Sequence, residues 1–336
     1  MELITGQNDK DRRLDRILRK ALPCCPLPLI HRLIRQKQIL VNGKPGKAQD
    51  RLKCGDNIFI PDLNDVKQKI NPQFNINKRA DHNLKPLSVI WEGCGLLAVN
   101  KPAGLSVHGK NSLDTMVRFF LEDKLPPSLS FKPGPLHRLD KPSSGIVVFS
   151  SSLEGGRLFS SLMQEHKVKK TYLAIVEGKA EKKEFWRDDL FRDKEKKKTF
   201  IETKTNNLNN KNAITKITPL AASENHSLIK AEIETGRTHQ IRAQAAFHGH
   251  PLAGDVKYGG RRIIRNVELE MRSEKRERDK EQTAKNREPS EKKAVFFLHA
   301  WELEFLMYSL EAPLPQEFCE IVKMIFKADI KTLLHY

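Results

Sequence analysis

No stretch of this sequence approaches the ~18 consecutive apolar residues of a membrane-spanning helix, and Met1 to Lys10 lacks the apolar core of a signal peptide. Those absences predict a cytoplasmic protein with no membrane association. Cysteine is scarce. Cys24, Cys25, Cys54, Cys94 and Cys319 make an odd number with no C-x-x-C spacing, which points to reduced structural thiols and away from a zinc knuckle. The eleven histidines are scattered, and the two-residue step from His248 to His250 suits no common metal motif. A strand-Gly-x-Gly nucleotide loop is also missing. Neither a metal nor a cofactor is expected.

What the chain has instead is positive charge. Against 42 Asp and Glu stand 60 Lys and Arg, a net +18 over 336 residues. A field of that sign attracts polyanions, nucleic acid first among them. The hydrophobic content of 38% is too high for disorder throughout, and the length suffices for two domains. The excess is concentrated at the start, where the residues up to Pro61 hold 13 Lys and Arg against 6 Asp and Glu.

That first segment reads as a small module. Leu14, Ile17 and Leu18 fall at helical spacing, Pro23 to Pro28 breaks the pattern, and Leu29, Ile30, Leu33 and Ile34 repeat the stripe of a second amphipathic helix. Its other face carries His31, Arg32 and Arg35, with Lys37 just beyond. Ile39-Leu40-Val41 then enters Asn42-Gly43, a type I′ hairpin signal followed by Lys44, and Gly55-Asp56 turns into a short strand at Ile58-Phe59-Ile60. Two short helices, this hairpin and the closing Gly-Asp-x-Ile-x-Ile together resemble the S4 RNA-binding domain. The resemblance implies an RNA-binding domain over residues 1–61, with Arg32, Arg35, Lys37 and Lys44 on its RNA face. Residues 62–85 are polar, rich in Asn and Lys, and read as a flexible linker.

The rest, 86–336, is expected to be one larger domain. Leu87 to Val99 supplies strand material broken at Gly93, and Asn100 to Gly109, with Lys101-Pro102-Ala103-Gly104, is expected to make a turn and a second short strand. A surface helix is expected over Met116 to Leu125 and another over Leu153 to His166. Residues 169–178 alternate as a strand containing Tyr172. Thr238 is the expected N-cap of a helix that Gly249 stops. Between 261 and 293, 20 of 33 residues are charged, 12 basic and 8 acidic, which marks an insertion outside the core. Strands then resume at Phe296, and mixed periodicities indicate an α+β fold with a mainly antiparallel sheet.

The chemistry centres on His137-Arg138-Leu139-Asp140-Lys141-Pro142-Ser143-Ser144-Gly145, which leads into the apolar strand Ile146-Val147-Val148-Phe149. A carboxylate in a turn before a buried strand sits on a rigid edge where a neighbour can tune it. Taken alone, the same run also reads as an ordinary turn. The His-Arg-Leu-Asp run, the Lys-Pro-Ala-Gly turn, Lys170-Thr171-Tyr172-Leu173-Ala174 and Arg237-Thr238-His239-Gln240-Ile241-Arg242 occur in that family's pattern and resemble the motifs of RluA-type pseudouridine synthases. Ser143 departs from the family, which has Thr there. The resemblance implies a pseudouridine synthase fold with Asp140 as catalytic carboxylate, Tyr172 stacking on the target base and Arg242 paired with Asp140. It also implies that Arg138 fills the space left by a flipped-out uridine. His137, Leu139, Thr238, His239 and Ile241 are expected to support the site, with Lys101 structural or near a phosphate. The first helices and hairpin look closest to the RluC-like branch, which implies 23S ribosomal RNA of the large subunit as substrate. Transfer RNA is the alternative within the enzyme class, and a non-catalytic RNA-binding or ribosome-assembly protein the alternative outside it. A monomer is expected.

Overall fold

The computed structural model describes residues 1–23, 25–61, 86–193, 195–202, 211–262 and 296–334. The expected linker at 62–85 and almost all of the charged insertion at 261–293 lie outside them. The chain forms two compact units.

The first unit comprises Met1–Ala98, His108–His137 and Val148–Ser161. Its N-terminal module holds β1 (Glu2–Ile4), α1 (Leu14–Ala21), α2 (Leu27–Arg35), β2 (Leu40–Val41), β3 (Lys44–Pro45) and β4 (Asn57–Phe59), with strand order β1-β4-β2-β3. The expected apolar stripes form its core: Leu14, Ile17, Leu18, Ile30, Leu33 and Ile34 are buried together with Ile39 and Ile58. Asn42 and Gly43 both take positive φ, 50° and 76°, as the hairpin between β2 and β3 demands. The unit also contains β5 (Val89–Gly93), the start of β6 (Leu96–Lys101), α3 (Leu113–Leu121), β7 (Gly134–Pro135), the end of β8 (Ser144–Ser150) and most of α4 (Leu153–Gln164). Helix α3 starts three residues earlier than the spacing predicts, because Ser112 caps it by accepting a hydrogen bond from the Thr115 amide.

The second unit comprises Val99–Val107, Arg138–Val147 and Leu162–Tyr336. Here β9 (Val168–Glu177), β10 (Glu184–Asp193), β11 (Lys198–Ile201), β12 (Lys211–Ala222), β13 (His226–Ile233), β14 (Leu298–Phe305) and β15 (Tyr308–Glu311) join the start of β8. The strand order is β11-β10-β12-β13-β9-β14-β8, with β15 on β14. All neighbours are antiparallel except β14 and β8, which run parallel with His299 opposite Ser144 and Ala300 opposite Gly145. The mixed, mainly antiparallel α+β fold is therefore as the sequence indicates. Helices α5 (Gln240–Phe247), α6 (Gln316–Phe326) and α7 (Ile330–Leu334) pack on this sheet, the last two over Leu173, Ile175 and Leu228.

Two expectations fail in this unit. Leu105 to Val107 forms no strand. The buried Lys101 amine takes the carbonyls of Pro102, Leu105 and Lys141 at 2.8 to 3.2 Å, so the segment is pinned as a loop. Thr238 is not the N-cap of α5. That position falls to His239, in the left-handed region at φ 56°, while Thr238 is exposed and only its carbonyl is engaged, by the Thr199 hydroxyl.

Candidate active site

Asp140 sits in the loop that feeds β8, and its position is fixed from behind. The Ser144 hydroxyl donates to His299 Nδ1 at 2.8 Å, and His299 Nε2 faces the Ala312 carbonyl at 3.3 Å. Burial pushes this histidine down to about 4, so it is a neutral tie between β8 and β14. Gly145 follows at φ 112°, and a Cβ there would lie 2.2 Å from the Ala300 carbonyl oxygen, so only glycine permits the close pairing. On the other side, Lys101 holds the Lys141 carbonyl. Burial lowers that amine to about 8 although Asp140 partly restores it. Lys101 therefore has a structural task in the loop.

Helix α5 brings Arg242 to Asp140. Its Nη1 donates to Asp140 Oδ2 at 2.9 Å. The expected pairing exists, yet it is the lesser of two. Nε and Nη2 grip Asp255 at 2.6 and 2.9 Å in a fork that the sequence reading did not assign. Asp255 has 2% of its side chain exposed and Asp140 18%, so Arg242 chiefly neutralises Asp255 and lends its remaining edge to the cleft. Its guanidinium carbon lies 4.5 Å from the Phe296 ring centroid and 4.8 Å from that of Tyr258. Burial works against its charge, but the two carboxylates outweigh this and raise its proton affinity.

The helix that carries Arg242 is buried along most of its length through polar side chains. Gln240 donates to the Ile214 carbonyl and Thr215 hydroxyl, and Gln244 accepts from Thr215 while donating to Asp188 at 2.7 Å. Each buried amide is satisfied, which locks α5 in rotation as well as depth.

Around Asp140 opens a cleft lined by Arg138, Leu139, Asp140, Ser143, Tyr172, Ile233, Arg237, His239, Gln240, Ile241, Arg242 and Leu298. Seven of the expected site residues meet there: Arg138, Leu139, Asp140, Tyr172, His239, Ile241 and Arg242. Tyr172 is 7% exposed, and burial raises its phenol above the ordinary value, with Asp140 adding to the effect. His137 and Thr238 do not line the cleft. In the first unit His137 Nε2 accepts the Val148 amide at 3.1 Å. Arg32, Arg35, Lys37 and Lys44 are all exposed on the N-terminal module and make no ion pair among the described residues. The residues missed were Asp255 and Tyr258, whose signal was the Gly254-Asp255-x-x-Tyr258 run. Among the described residues no group of three or more His, Cys, Asp or Glu could hold a metal, and no helix is long and apolar enough to cross a membrane.

In this arrangement a carboxylate held by an arginine faces the cleft from the loop, with Arg138 beside it. Residues 95–247 match the RNA pseudouridylate synthase family and residues 12–58 match the S4 domain. The chain belongs to the RNA pseudouridine synthase family and is an RNA-binding isomerase of that class. It is 32% identical to Ribosomal large subunit pseudouridine synthase C of Vibrio parahaemolyticus over 75% of this chain and 78% of that protein. The protein of the same name from Rickettsia bellii is 33% identical over 78% and 87%. The fold is that of human RNA Pseudouridylate Synthase Domain Containing 4, with a TM-score of 0.54 at 19% identity over 71% of this chain and 92% of the other.

Proposed function

We propose that this synthase isomerises specific uridines of 23S ribosomal RNA in the large subunit, with Asp140 as the catalytic carboxylate. The observation that carries the reading is the Asp140 carboxylate, held by one Arg242 hydrogen bond and otherwise turned to a cleft walled by Tyr172. The names of the curated relatives support the choice of RNA. The N1–C1′ bond of the uridine breaks, the uracil turns, and C5 bonds to C1′ as its proton leaves and N1 regains one. Such a reaction needs a carboxylate beside the sugar and base, and Arg242 holds this one in place by a hydrogen bond of 2.9 Å. The Tyr172 ring stacks on the detached base. Ile241 and Leu139, both buried, keep water from the glycosidic bond.

A uridine must leave its helical stack to reach Asp140, at a cost of a few kcal/mol. Arg138, exposed at the mouth, fills the gap with a planar cation that also meets phosphate. Arg32, Arg35, Lys37 and Lys44 bind the RNA backbone. The protein works in the cytoplasm as a monomer. The test is to incubate unmodified 23S ribosomal RNA and bulk transfer RNA with the protein and map pseudouridine by carbodiimide adduct and primer extension. New stops in 23S RNA are expected. Stops confined to transfer RNA would replace the substrate, and stops in neither would remove the assignment.

A further inference from the structure

Among the residues that line the cleft, His239 alone has a left-handed backbone, φ 56° and ψ 25°. L side chains rarely adopt that region, and where they do the surroundings must hold them. The hold here is a chain of donors. The Thr199 amide donates to Tyr258 Oη at 2.8 Å, and the Tyr258 hydroxyl lies 2.7 Å from His239 Nδ1. With one lone pair taken by Thr199, the Tyr258 proton is free for the imidazole. Arg192 Nη1, which can only donate, also faces Nδ1 at 3.3 Å. Two donors on Nδ1 require it to be an acceptor, so the ring proton is on Nε2. That nitrogen faces Asp140 Oδ2 at 3.7 Å, on the same oxygen that Arg242 holds.

We propose that His239 is a positioning residue for Asp140: Tyr258 fixes it as the neutral Nε2–H tautomer, and that proton closes on the Asp140 carboxylate when the RNA seats. In an unliganded site such contacts are commonly long and tighten on binding. Burial favours the neutral form of the ring. Burial lowers its pKa to about 4, Asp140 opposing the shift while Arg242, Arg192 and Lys257 add to it. Tyr258 stays a donor because burial raises its phenol. With its proton committed to Nε2 and its lone pair to Tyr258, His239 cannot take a proton from the substrate. It fixes which Asp140 oxygen remains open to the substrate, since Oδ2 is held from two sides.

The kinetic part rests on the catalytic role proposed for Asp140, whereas the tautomer does not. In wild-type protein labelled with 15N-histidine, the His239 signal, assigned by its change in Tyr258→Phe, should show a pyridine-like Nδ1 and a pyrrole-like Nε2. The reverse pattern overturns the proposal without touching the role of Asp140. Single-turnover rates on the RNA supply the second arm. His239→Asn leaves nothing in the Nε2 position and should slow the reaction on the order of 100-fold at unchanged RNA affinity. His239→Gln puts an amide N–H near Nε2 and should restore most of the loss. Equal rates for the two variants, with melting temperatures matched, would make His239 merely structural. Full activity in Asp140→Asn would instead remove the proposed function and leave the tautomer standing.

Discussion

Among the described residues two carboxylates are almost fully buried, and they are neutralised in different ways. Asp9, in the first unit, is 0% exposed and accepts hydrogen bonds from five donors: the amides of Gly6, Leu129 and Ser130 and the hydroxyls of Ser128 and Ser130. Burial alone would raise its pKa, but the bonds from Ser130, Leu129, Gly6 and Ser128 together hold it below the ordinary carboxylate range. Arg12 stands one layer behind, donating to the Ser130 carbonyl and hydroxyl. Asp255, in the second unit, is instead clasped by the Arg242 fork. A ring of neutral donors closes completely on its anion and leaves nothing over. An arginine has a further N–H, and here that edge is what reaches Asp140. The first device ties loops together, and the second also equips a cleft.

The largest effect is expected at Arg242. Arg242→Ala leaves the buried Asp255 without its cation and should cost about 3 to 5 kcal/mol in urea unfolding, with loss of activity. Adding Asp255→Asn removes the stranded charge, so the double variant should regain part of the stability and none of the turnover. Additive losses would show that the fork does not carry the stability.

A third buried group extends the contrast to acid. His299 is 0% exposed and neutral in the fold, with its pKa lowered from 6.5 to about 4. A histidine with a depressed folded value gives its full stability above its unfolded value and loses it as pH falls toward the folded one. Between pH 6.5 and 4 the loss should reach about 3 kcal/mol. Unfolding of His299→Asn, followed at several pH values, should lack that part of the slope. The Asp9 contribution is present above the ordinary carboxylate value and is lost only below it, at still lower pH.

Asp9→Asn is the mildest cut. It swaps one accepting oxygen for an amide nitrogen that faces donors, at a cost of about 1 to 3 kcal/mol. Since five donors and no fork are involved, catalysis should survive at temperatures where the fold holds. A loss of turnover without a loss of stability would mean that the Asp9 socket does more than tie loops.

Much of this was legible in the sequence because it follows from local pattern. The stripes of α1 and α2 and the Asn42-Gly43 turn are written in spacing, whereas the approach of Arg242 to Asp140 followed only from the family resemblance. What could not be read depends on contacts between distant segments. Lys101 holds Leu105 out of a strand because its buried amine takes the Leu105 carbonyl together with those of Pro102 and Lys141. Thr238 is a good cap by composition, yet Tyr258 draws His239 into the cap position from nineteen residues away. Asp255 was visible as a letter in a motif, but its burial, and hence its claim on Arg242, belongs to the folded chain.

In the proposed reaction Asp140 does the chemistry and Arg242 holds it there. RNA carrying tritium at uridine C5 releases the label as pseudouridine forms, so single-turnover release by wild type and Asp140→Asn at matched RNA occupancy tests it directly. Release is expected from wild type and none above background from the variant, with RNA binding unchanged. Release from the variant at the wild-type rate would contradict that role for Asp140.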